Sequence, residues 1–251
     1  MPTSKSGDLS IKLLSMAFLL LIWQSVAYYI NSDLSPGPIT VLSSLWKHLV
    51  EDDLLLHLSI TLLRVAISFF IAFIIGTIAG IVMGNYPKID SALDSLLIIG
   101  LNIPALVTII LCYVWFGLNE LAAICAVVVN KIPVVVVTVR EGARAIDRKL
   151  LQVGNAFNLN RRQVFLKIYI PQLYPYLIAA ARSGLSLIWK IVLVVELLGR
   201  SNGVGFKLGT FFQFFDITSI LVYTLAFAAV VLITENGLVQ PIESRLNRWR
   251  L

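Results

Sequence analysis

The segment VAISFFIAFIIGTIAGIVMGNYP, residues 65–87, contains no aspartate, glutamate, lysine or arginine. A helix needs about 20 mostly apolar residues to cross the hydrocarbon core of a bilayer, so this segment predicts a membrane span. It also contains Gly76, Gly80 and Gly84, each four residues from the next. Glycines at this spacing form a groove that a second helix can approach closely, and we expect them to mediate packing within one helix bundle.

The composition of the whole chain agrees with a membrane protein. Of its 251 residues, 58% are hydrophobic and 14% are charged, whereas soluble proteins have roughly 45–50% and about 25%. The mean hydropathy is +0.88. A single water-soluble domain cannot bury this many apolar side chains. Two cysteines are too few for a secreted disulfide scaffold, and the hydrophobicity excludes a disordered chain.

Five further segments are long, apolar and nearly free of charge: 13–32, 95–119, 121–139, 174–199 and 217–234. Together they predict an all-α integral membrane protein with about six transmembrane helices in one domain, residues 1–251. Pro104 interrupts the span over residues 95–119. The first could be a signal peptide, but its apolar stretch is long and no clear cleavage site follows, so we expect a retained helix.

Basic residues are concentrated in the loop between spans four and five, about residues 141–173, whereas the loop after the first span is acidic. Lysine and arginine in short loops remain on the cytoplasmic side, so we expect the basic loop and both termini in the cytoplasm. Three more arginines follow the last span: Arg245, Arg248 and Arg250. Membrane insertion accounts for the net charge of +6, and we expect no nucleic-acid partner.

The basic loop predicts a helix-turn-helix, with one helix over residues 148–157 and a second over 161–169 that Pro171 ends. Three residues suit the boundaries of these helices: Asp147, Asn158 and Asn160. Asparagine tolerates the left-handed conformation in which a chain often leaves a helix, which is the role expected of Asn158. Two interpretations of the loop remain open, an amphipathic linker on lipid headgroups and a docking element for a cytosolic partner.

On the other side of the membrane, residues 35–38 read Ser-Pro-Gly-Pro and predict a rigid turn. Residues 39–50 then predict an amphipathic helix at the outer interface, where Trp46 is favoured. His48 and His57 lie on this side without cysteine or carboxylate at metal-ligand spacing, so we expect no metal site.

Four charged residues lie inside predicted spans: Arg182 near the start of the fifth span, and Lys131, Lys190 and Glu196 further inside. An ionisable side chain in a membrane usually faces the interior of the bundle or a water-filled path. Glu196 could therefore form an ion pair with Lys131 or Lys190. Alternatively, the lysines line a translocation path and attract an anionic solute.

The chain lacks the motifs of an enzyme. No G-x-x-x-x-G-K-[ST] sequence occurs, so ATP is not expected to bind to this chain through a P-loop. Cys112 and Cys125 fall inside predicted spans and are expected to be buried apolar side chains. No nucleophile and base occur in a convincing arrangement, so no catalytic residue is predicted.

Residues 152–171, QVGNAFNLNRRQVFLKIYIP, resemble the EAA loop in permease subunits of binding-protein-dependent ATP-binding-cassette importers. Further stretches are similar to this family in the same order, across some 200 residues: 35–38, the glycines of span two, 102–104, 114–117, 196–199 and 201–205. The pattern is most similar to the branch that imports nitrate, sulfonates, taurine, bicarbonate and some vitamin precursors.

The resemblance implies a set of partners. Two cytosolic ATPase subunits, which bind ATP and Mg, would dock on the basic loop. A second permease copy or a close paralogue would enclose the path, and an extracytoplasmic solute-binding protein would deliver the solute. The chain would lie in the cytoplasmic membrane of a bacterium. A stand-alone secondary carrier is a less favoured alternative, because no convincing internal repeat is present.

The residues that the resemblance assigns to ATPase coupling are Gln152, Val153, Gly154, Asn158, Arg161, Arg162 and Pro171. Gln152, Val153 and Gly154 occupy the E-A-A positions, and Asn158 replaces the usual glycine. The family carboxylate is therefore lost, and we expect Arg161 and Arg162 to contribute to docking instead. The predicted path comprises Asn102, Lys131, Lys190 and Glu196, with nitrate, bicarbonate or an organosulfonate as solute, or alternatively a neutral or zwitterionic vitamin precursor.

Overall fold

The computed structural model describes residues 5–241, which form helices joined by short connections and contain no β-strand. The all-α prediction is confirmed. The α-helices in this part of the chain are α1 Lys5–Ile30, α2 Pro38–Val50, α3 Leu54–Asn85, α4 Pro87–Asn102, α5 Ala105–Phe116, α6 Glu120–Arg144, α7 Arg148–Ala156, α8 Arg161–Val164, α9 Ile170–Gly199, α10 Val204–Gln213 and α11 Ile217–Thr234. Two π-helical turns, Phe165–Tyr169 and Glu235–Val239, follow α8 and α11.

Within the described residues, four helices are long and apolar enough to cross a membrane: Leu54–Asn85, Glu120–Arg144, Arg161–Gly199 and Ile217–Gly237. A bent pair, α4 and α5, makes a fifth if both halves belong to one span. In α1, the apolar portion Leu14–Ile30 is shorter than these helices. The expected total of six spans therefore stays a prediction.

The predicted span over residues 95–119 is broken, and its two halves meet at an angle of 98°. The break lies at Ile103 and Pro104, between α4 and α5. Proline disfavours the helical conformation of the residue before it, and Ile103 is extended, with φ −69° and ψ 124°. Asn102 is the last residue of α4 and lies exposed at this bend.

The centre of the bundle is formed by α3, α6 and α9, which pack against one another. Gly76, Gly80 and Gly84 lie on the face of α3 that contacts α6. A Cβ atom at Gly80 would lie 2.8 Å from the Cβ of Val139, and one at Gly76 would lie 2.7 Å from the Cβ of Val135. Only glycine leaves room for these two backbones to approach so closely.

The two ends of the bundle differ in chemistry. At one end, the starts of α3 and α6 meet the end of α9 and the start of α10 around buried polar groups, and we call it the network end. At the other, the ends of α3 and α6 meet α7 and α8, and we call it the hairpin end. Since α4 is joined to α6 there by ion pairs of Arg140 with Asp90 and Asp94, α4 also begins at the hairpin end.

Pro171 does not end the second helix of the basic loop, and this prediction is wrong. The helix is continuous from Arg161 to Gly199. Inside an α-helix, proline clashes with the carbonyl group four residues earlier. Here the π-helical turn Phe165–Tyr169 relieves the clash, because the N–H of Ile170 bonds to the carbonyl of Phe165, five residues back. The basic loop and the fifth predicted span thus share one helical rod.

Candidate functional site

A buried polar face runs along the first half of α3. His57, Thr61, Arg64 and Ser68 are all buried and follow one another at intervals of four, three and four residues. This spacing places them on one side of an α-helix. Buried polar groups need partners, because an unpaired one costs about 1–3 kcal/mol. The neighbouring helices supply partners to the first three of these residues.

Arg64 is the centre of this network and is only 3% exposed. Its Nε and Nη2 donate to the two carboxylate oxygens of Glu120, at 2.6 and 2.9 Å. Its Nη1 donates to Glu196 Oε1 at 2.7 Å and to the carbonyl oxygen of Asn202 at 2.9 Å, while Nη2 also bonds to the Asn202 side chain. The planar fork of arginine suits such two-pronged contacts with carboxylates. One guanidinium therefore joins α3 to α6 and to the α9–α10 connection.

Glu196 is fully buried, and its carboxylate fixes the start of α10. Besides Arg64, it accepts hydrogen bonds from the hydroxyl of Thr61 and from the backbone N–H of Gly205, each at 2.9 Å. The N–H groups of Gly203 and Val204 donate to His57 Nδ1 and Thr61 Oγ1, also at 2.9 Å. The first N–H groups of a helix have no partner within the helix and favour a negative charge, so these side chains from α3 and α9 cap α10.

The glycines of residues 201–205 permit this capping. Gly203 has a φ of 105°, in a region that side chains with a Cβ rarely adopt. A Cβ atom there would also overlap the carboxylate of Glu196, and one at Gly205 would lie 2.8 Å from the Cβ of Glu196. The stretches 196–199 and 201–205, which resemble the importer family, are therefore two parts of one buried structure.

Glu196 pairs with Arg64, so its expected pairing with Lys131 or Lys190 is wrong. In the sequence, Arg64 lies just before the charge-free segment and therefore resembles the boundary of a span. The spacing of His57, Thr61 and Arg64 is the sequence pattern that indicates a buried polar face, because it places the three residues on one side of a helix. With its carboxylate fully buried and bonded, Glu196 faces no open path in this conformation.

Lys131 and Lys190 lie on α6 and α9, which pack against each other, but their surroundings differ. Lys131 is 3% exposed, and its ammonium group has no acidic partner among residues 5–241. Lys190 is exposed. Ser183 and Ser186 are exposed on the same helix, four to seven residues before it. These three residues form a polar stripe on the outside of α9, in a helix that is otherwise apolar enough to span a membrane.

At the hairpin end, α7 and α8 form the predicted helix-turn-helix. Asp147 accepts a hydrogen bond from the N–H of Lys149 at 2.8 Å, and Asn158 has a φ of 53°, so both boundary predictions are confirmed. The side chain of Asn160 accepts from the N–H of Gln163 at 2.8 Å. The backbone N–H of Asn160 in turn donates to the side-chain oxygen of Gln163, and the two hydrogen bonds form a capping box.

Gly154 lies where α7 crosses the second helix of the hairpin. A Cβ atom there would lie 2.7 Å from Ile168 Cδ1 and 3.1 Å from Val164 Cγ2, so Gly154 packs closely against that helix. The opposite surface of the hairpin is open. Exposed side chains of the hairpin include Gln152, Val153, Phe157, Arg161 and Arg162, of which Arg161 also lines a cavity beside Asn85 and Tyr169. An exposed phenyl ring beside two arginines is typical of a protein-binding surface.

Comparison with known proteins gives a consistent result. Residues 72–239 match the family described as "Binding-protein-dependent transport system inner membrane component". The taurine transport system permease protein TauC of Escherichia coli K12 is 26% identical over 255 residues, which cover 99% of this chain and 92% of TauC. The nitrate import permease protein NrtB of Synechococcus elongatus is 26% identical over 201 residues, 76% of this chain and 72% of NrtB.

A solved structure of the MetNI methionine ABC transporter in an inward-facing conformation contains a similar fold. One of its chains aligns with a TM-score of 0.67 at 18% identity, covering 78% of this chain and 96% of the other. The match extends over most of the helical bundle and supports the assignment of the fold. With two thirds of its length matching the family, this chain belongs to the inner membrane components of binding-protein-dependent transport systems.

Proposed function

We propose that this chain forms one wall of the translocation path of an ATP-driven importer for a small anion. The polar stripe of Ser183, Ser186 and Lys190 on α9 is the observation that carries the proposal. A charged side chain on a lipid-facing surface is costly, and spans usually direct such groups into a protein interior or a water-filled path. The stripe therefore faces a path that a second copy of this chain, or a close paralogue, closes from the other side.

The charges beside this path favour an anionic solute. Lys190 is exposed, and Lys131 lies buried without an acidic partner on the adjacent helix. Desolvated ammonium groups attract carboxylates, sulfonates and nitrate more strongly than they do in bulk water. The similar proteins TauC and NrtB are named for taurine, which carries a sulfonate group, and for nitrate. A sulfonate, nitrate or bicarbonate ion suits this site.

The hairpin of residues 147–171 is the proposed docking surface for two cytosolic ATPase subunits. Phe157 is 74% exposed and provides an apolar contact, while Arg161 and Arg162 provide charge for acidic side chains. Arg161 begins the helix that continues to Gly199, so a movement of the hairpin displaces the same rod that carries Lys190. ATP and Mg bind to the partner subunits, and this chain contributes no catalytic group.

The orientation follows from the charge distribution. The arginine-rich hairpin faces the cytoplasm, which places the network end and α2 outside, where a solute-binding protein docks near residues 36–53. Within the protein, α2 is held to α11 by His48, whose Nε2 lies 3.0 Å from Ser219 Oγ. The predicted cytoplasmic arginines of the tail, Arg245, Arg248 and Arg250, lie outside the described residues. The host membrane is the cytoplasmic membrane of a bacterium.

Charge reversal in the hairpin tests the docking surface. We expect Arg161→Glu to weaken co-purification of the cognate ATPase about tenfold, because a charged hydrogen bond worth roughly 1.5–3 kcal/mol is replaced by repulsion. Gln152→Glu, which restores the carboxylate of the family, should retain or strengthen the complex. Lys47→Glu introduces the same charge change on exposed α2 at the opposite end and should have no effect. If the complex survives Arg161→Glu and Gln152→Glu unchanged, the docking assignment is wrong.

A further inference from the structure

A cleft lies between the hairpin and the bundle, apart from the proposed path, and it shares only Arg161 with the exposed side chains proposed for docking. It consists of two adjoining cavities of about 230 and about 280 Å³, which share Asn85, Leu151 and Tyr169 as walls. The first cavity extends toward Arg144, Arg148 and Asp90, and the second toward α8 and the π-helical turn. Because Asn85 ends α3, the cleft lies at the hairpin end of the central bundle.

The first cavity is polar, and two of its charged wall residues, Asp90 and Arg144, are ion-paired with each other. Asp90, its acidic wall residue, is already neutralised, because Arg140 Nη1 donates to its Oδ1 at 3.2 Å and Arg144 bonds to its Oδ2. Arg148 has no ion pair with any residue in the range 5–241, so its guanidinium is available to a ligand. At the base of the cavity, Asn85 Nδ2 donates to the hydroxyl of Tyr169 at 2.6 Å. The hydroxyl hydrogen of Tyr169 is then free to donate to an anion.

The second cavity is largely apolar. Leu151, Val164, Phe165 and the ring of Tyr169 line it, with Arg161 at its rim. Phe165 stacks on Tyr169 with ring centroids 5.4 Å apart, which makes a continuous aromatic wall. A small inorganic anion would use only the polar cavity and leave this wall in contact with water. The combination of an arginine without an ion pair and an adjoining apolar groove matches a ligand with an anionic head and a hydrocarbon chain.

We propose that the cleft binds the phosphate headgroup of an anionic phospholipid, with part of an acyl chain along the apolar groove. Arg148 and the Tyr169 hydroxyl hold the phosphate, while Arg144 stays paired with Asp90 and Glu141. Basic pockets between helices at the cytoplasmic surface are suited to such headgroups. The lipid then bridges α7 and α8 to the ends of α3 and α6, so it steadies the hairpin against the bundle. Only the assignment to the cytoplasmic leaflet depends on the proposed orientation.

Native mass spectrometry of the detergent-purified full chain tests the proposal without ATPase or solute, so its failure is independent of the transport function. The probes are phosphatidylglycerol and phosphatidylethanolamine with identical acyl chains. Wild type is expected to bind phosphatidylglycerol more tightly. Arg148→Gln should weaken that binding about fivefold, the value of one basic residue near an anionic surface. Lys149→Gln, the same change at the neighbouring exposed lysine outside the cleft, should bind like wild type.

Three results would overturn the lipid site. The first is equal binding of the two lipids to wild type, and the second is unchanged phosphatidylglycerol binding by Arg148→Gln. The third is displacement of phosphatidylglycerol by millimolar inorganic phosphate, which would assign the polar cavity to a soluble anion instead. Tyr169→Phe provides a second variant, because it removes the hydroxyl donor and keeps the aromatic wall. Its expected result is weaker binding of phosphatidylglycerol, and unchanged binding would contradict the role of the hydroxyl.

Discussion

Arg64→Ala is expected to reduce the stability of the folded chain by about 3–5 kcal/mol, because it leaves the carboxylate of Glu196 buried without its cation. Domains are stable by only about 5–15 kcal/mol, so a loss of this size is large. The same change removes the bonds from Arg64 to Glu120 and Asn202. Unfolding in detergent micelles, followed by tryptophan fluorescence, should show a much lower Tm and a poor yield of monodisperse protein.

A double variant separates the ion pair from other effects of the substitution. Arg64→Met with Glu196→Gln removes both charges, while the glutamine oxygen can still accept from the N–H of Gly205. Because a buried pair can often be replaced by neutral side chains at little cost, the double variant should recover at least half of the lost stability. Lys47→Ala, at an exposed lysine of the same end, should match wild type. A double variant no more stable than Arg64→Ala would contradict this role of the pair.

Lys190→Gln is expected to raise the KM for uptake of an anionic solute by about ten- to a hundredfold, since a charged hydrogen bond contributes roughly 1.5–3 kcal/mol. Lys190→Arg retains the charge and should stay within a few fold of wild type. Lys88→Gln changes an exposed lysine at the start of α4, away from the stripe, and should leave uptake unaltered. Labelled taurine and nitrate, presented to whole cells that express the complete importer, provide the measurement.

Lys131→Gln is the companion variant, because Lys131 is the other lysine on the two helices beside the proposed path. Unchanged anion uptake in both Lys131→Gln and Lys190→Gln would remove the reason for an anionic solute. Selective uptake of a neutral or zwitterionic vitamin precursor by wild type would replace the anion with the alternative solute class. Either result would leave the membership of the permease family intact.

Several elements could be predicted from the sequence because charge marks their limits. The last span, predicted over 217–234, coincides with α11, which is preceded by Asp216 and followed by Glu235. The helix Pro38–Val50 begins at a proline, as expected from the turn at residues 35–38. The left-handed Asn158 followed from residue chemistry alone.

Other features could not be predicted because they depend on contacts distant in sequence. The predicted span was limited to residues without charge, so Arg64 fell outside it. In the structure, α3 begins ten residues before Arg64, at Leu54. An arginine can lie inside a bundle when two carboxylates from other helices meet it, and local composition does not reveal those partners. Pro171 was misassigned for a similar reason. The helix accommodates Pro171 because of the π-helical turn Phe165–Tyr169, and no recognised sequence pattern predicts such a turn.

The fold brings only some of the residues that were predicted to line the path close to one another. Lys131 and Lys190 lie on adjacent helices, whereas Glu196 belongs to the buried network and Asn102 to the α4–α5 bend. In the proposed path, the outer surfaces of two chains face each other. A single sequence does not distinguish such a surface from one that faces lipid. The exposed serines of α9 support the proposed path because the structure places them on the same helix face as Lys190.

Uptake into proteoliposomes tests the central claim most directly. The permease is reconstituted with its cognate ATPase and solute-binding protein, and accumulation of labelled taurine or nitrate is followed with and without enclosed ATP. We predict accumulation only when all three proteins and ATP are present, and none with a non-hydrolysable ATP analogue. Solute entry through this chain alone, driven by an ion or solute gradient, would contradict the assignment and indicate a secondary carrier.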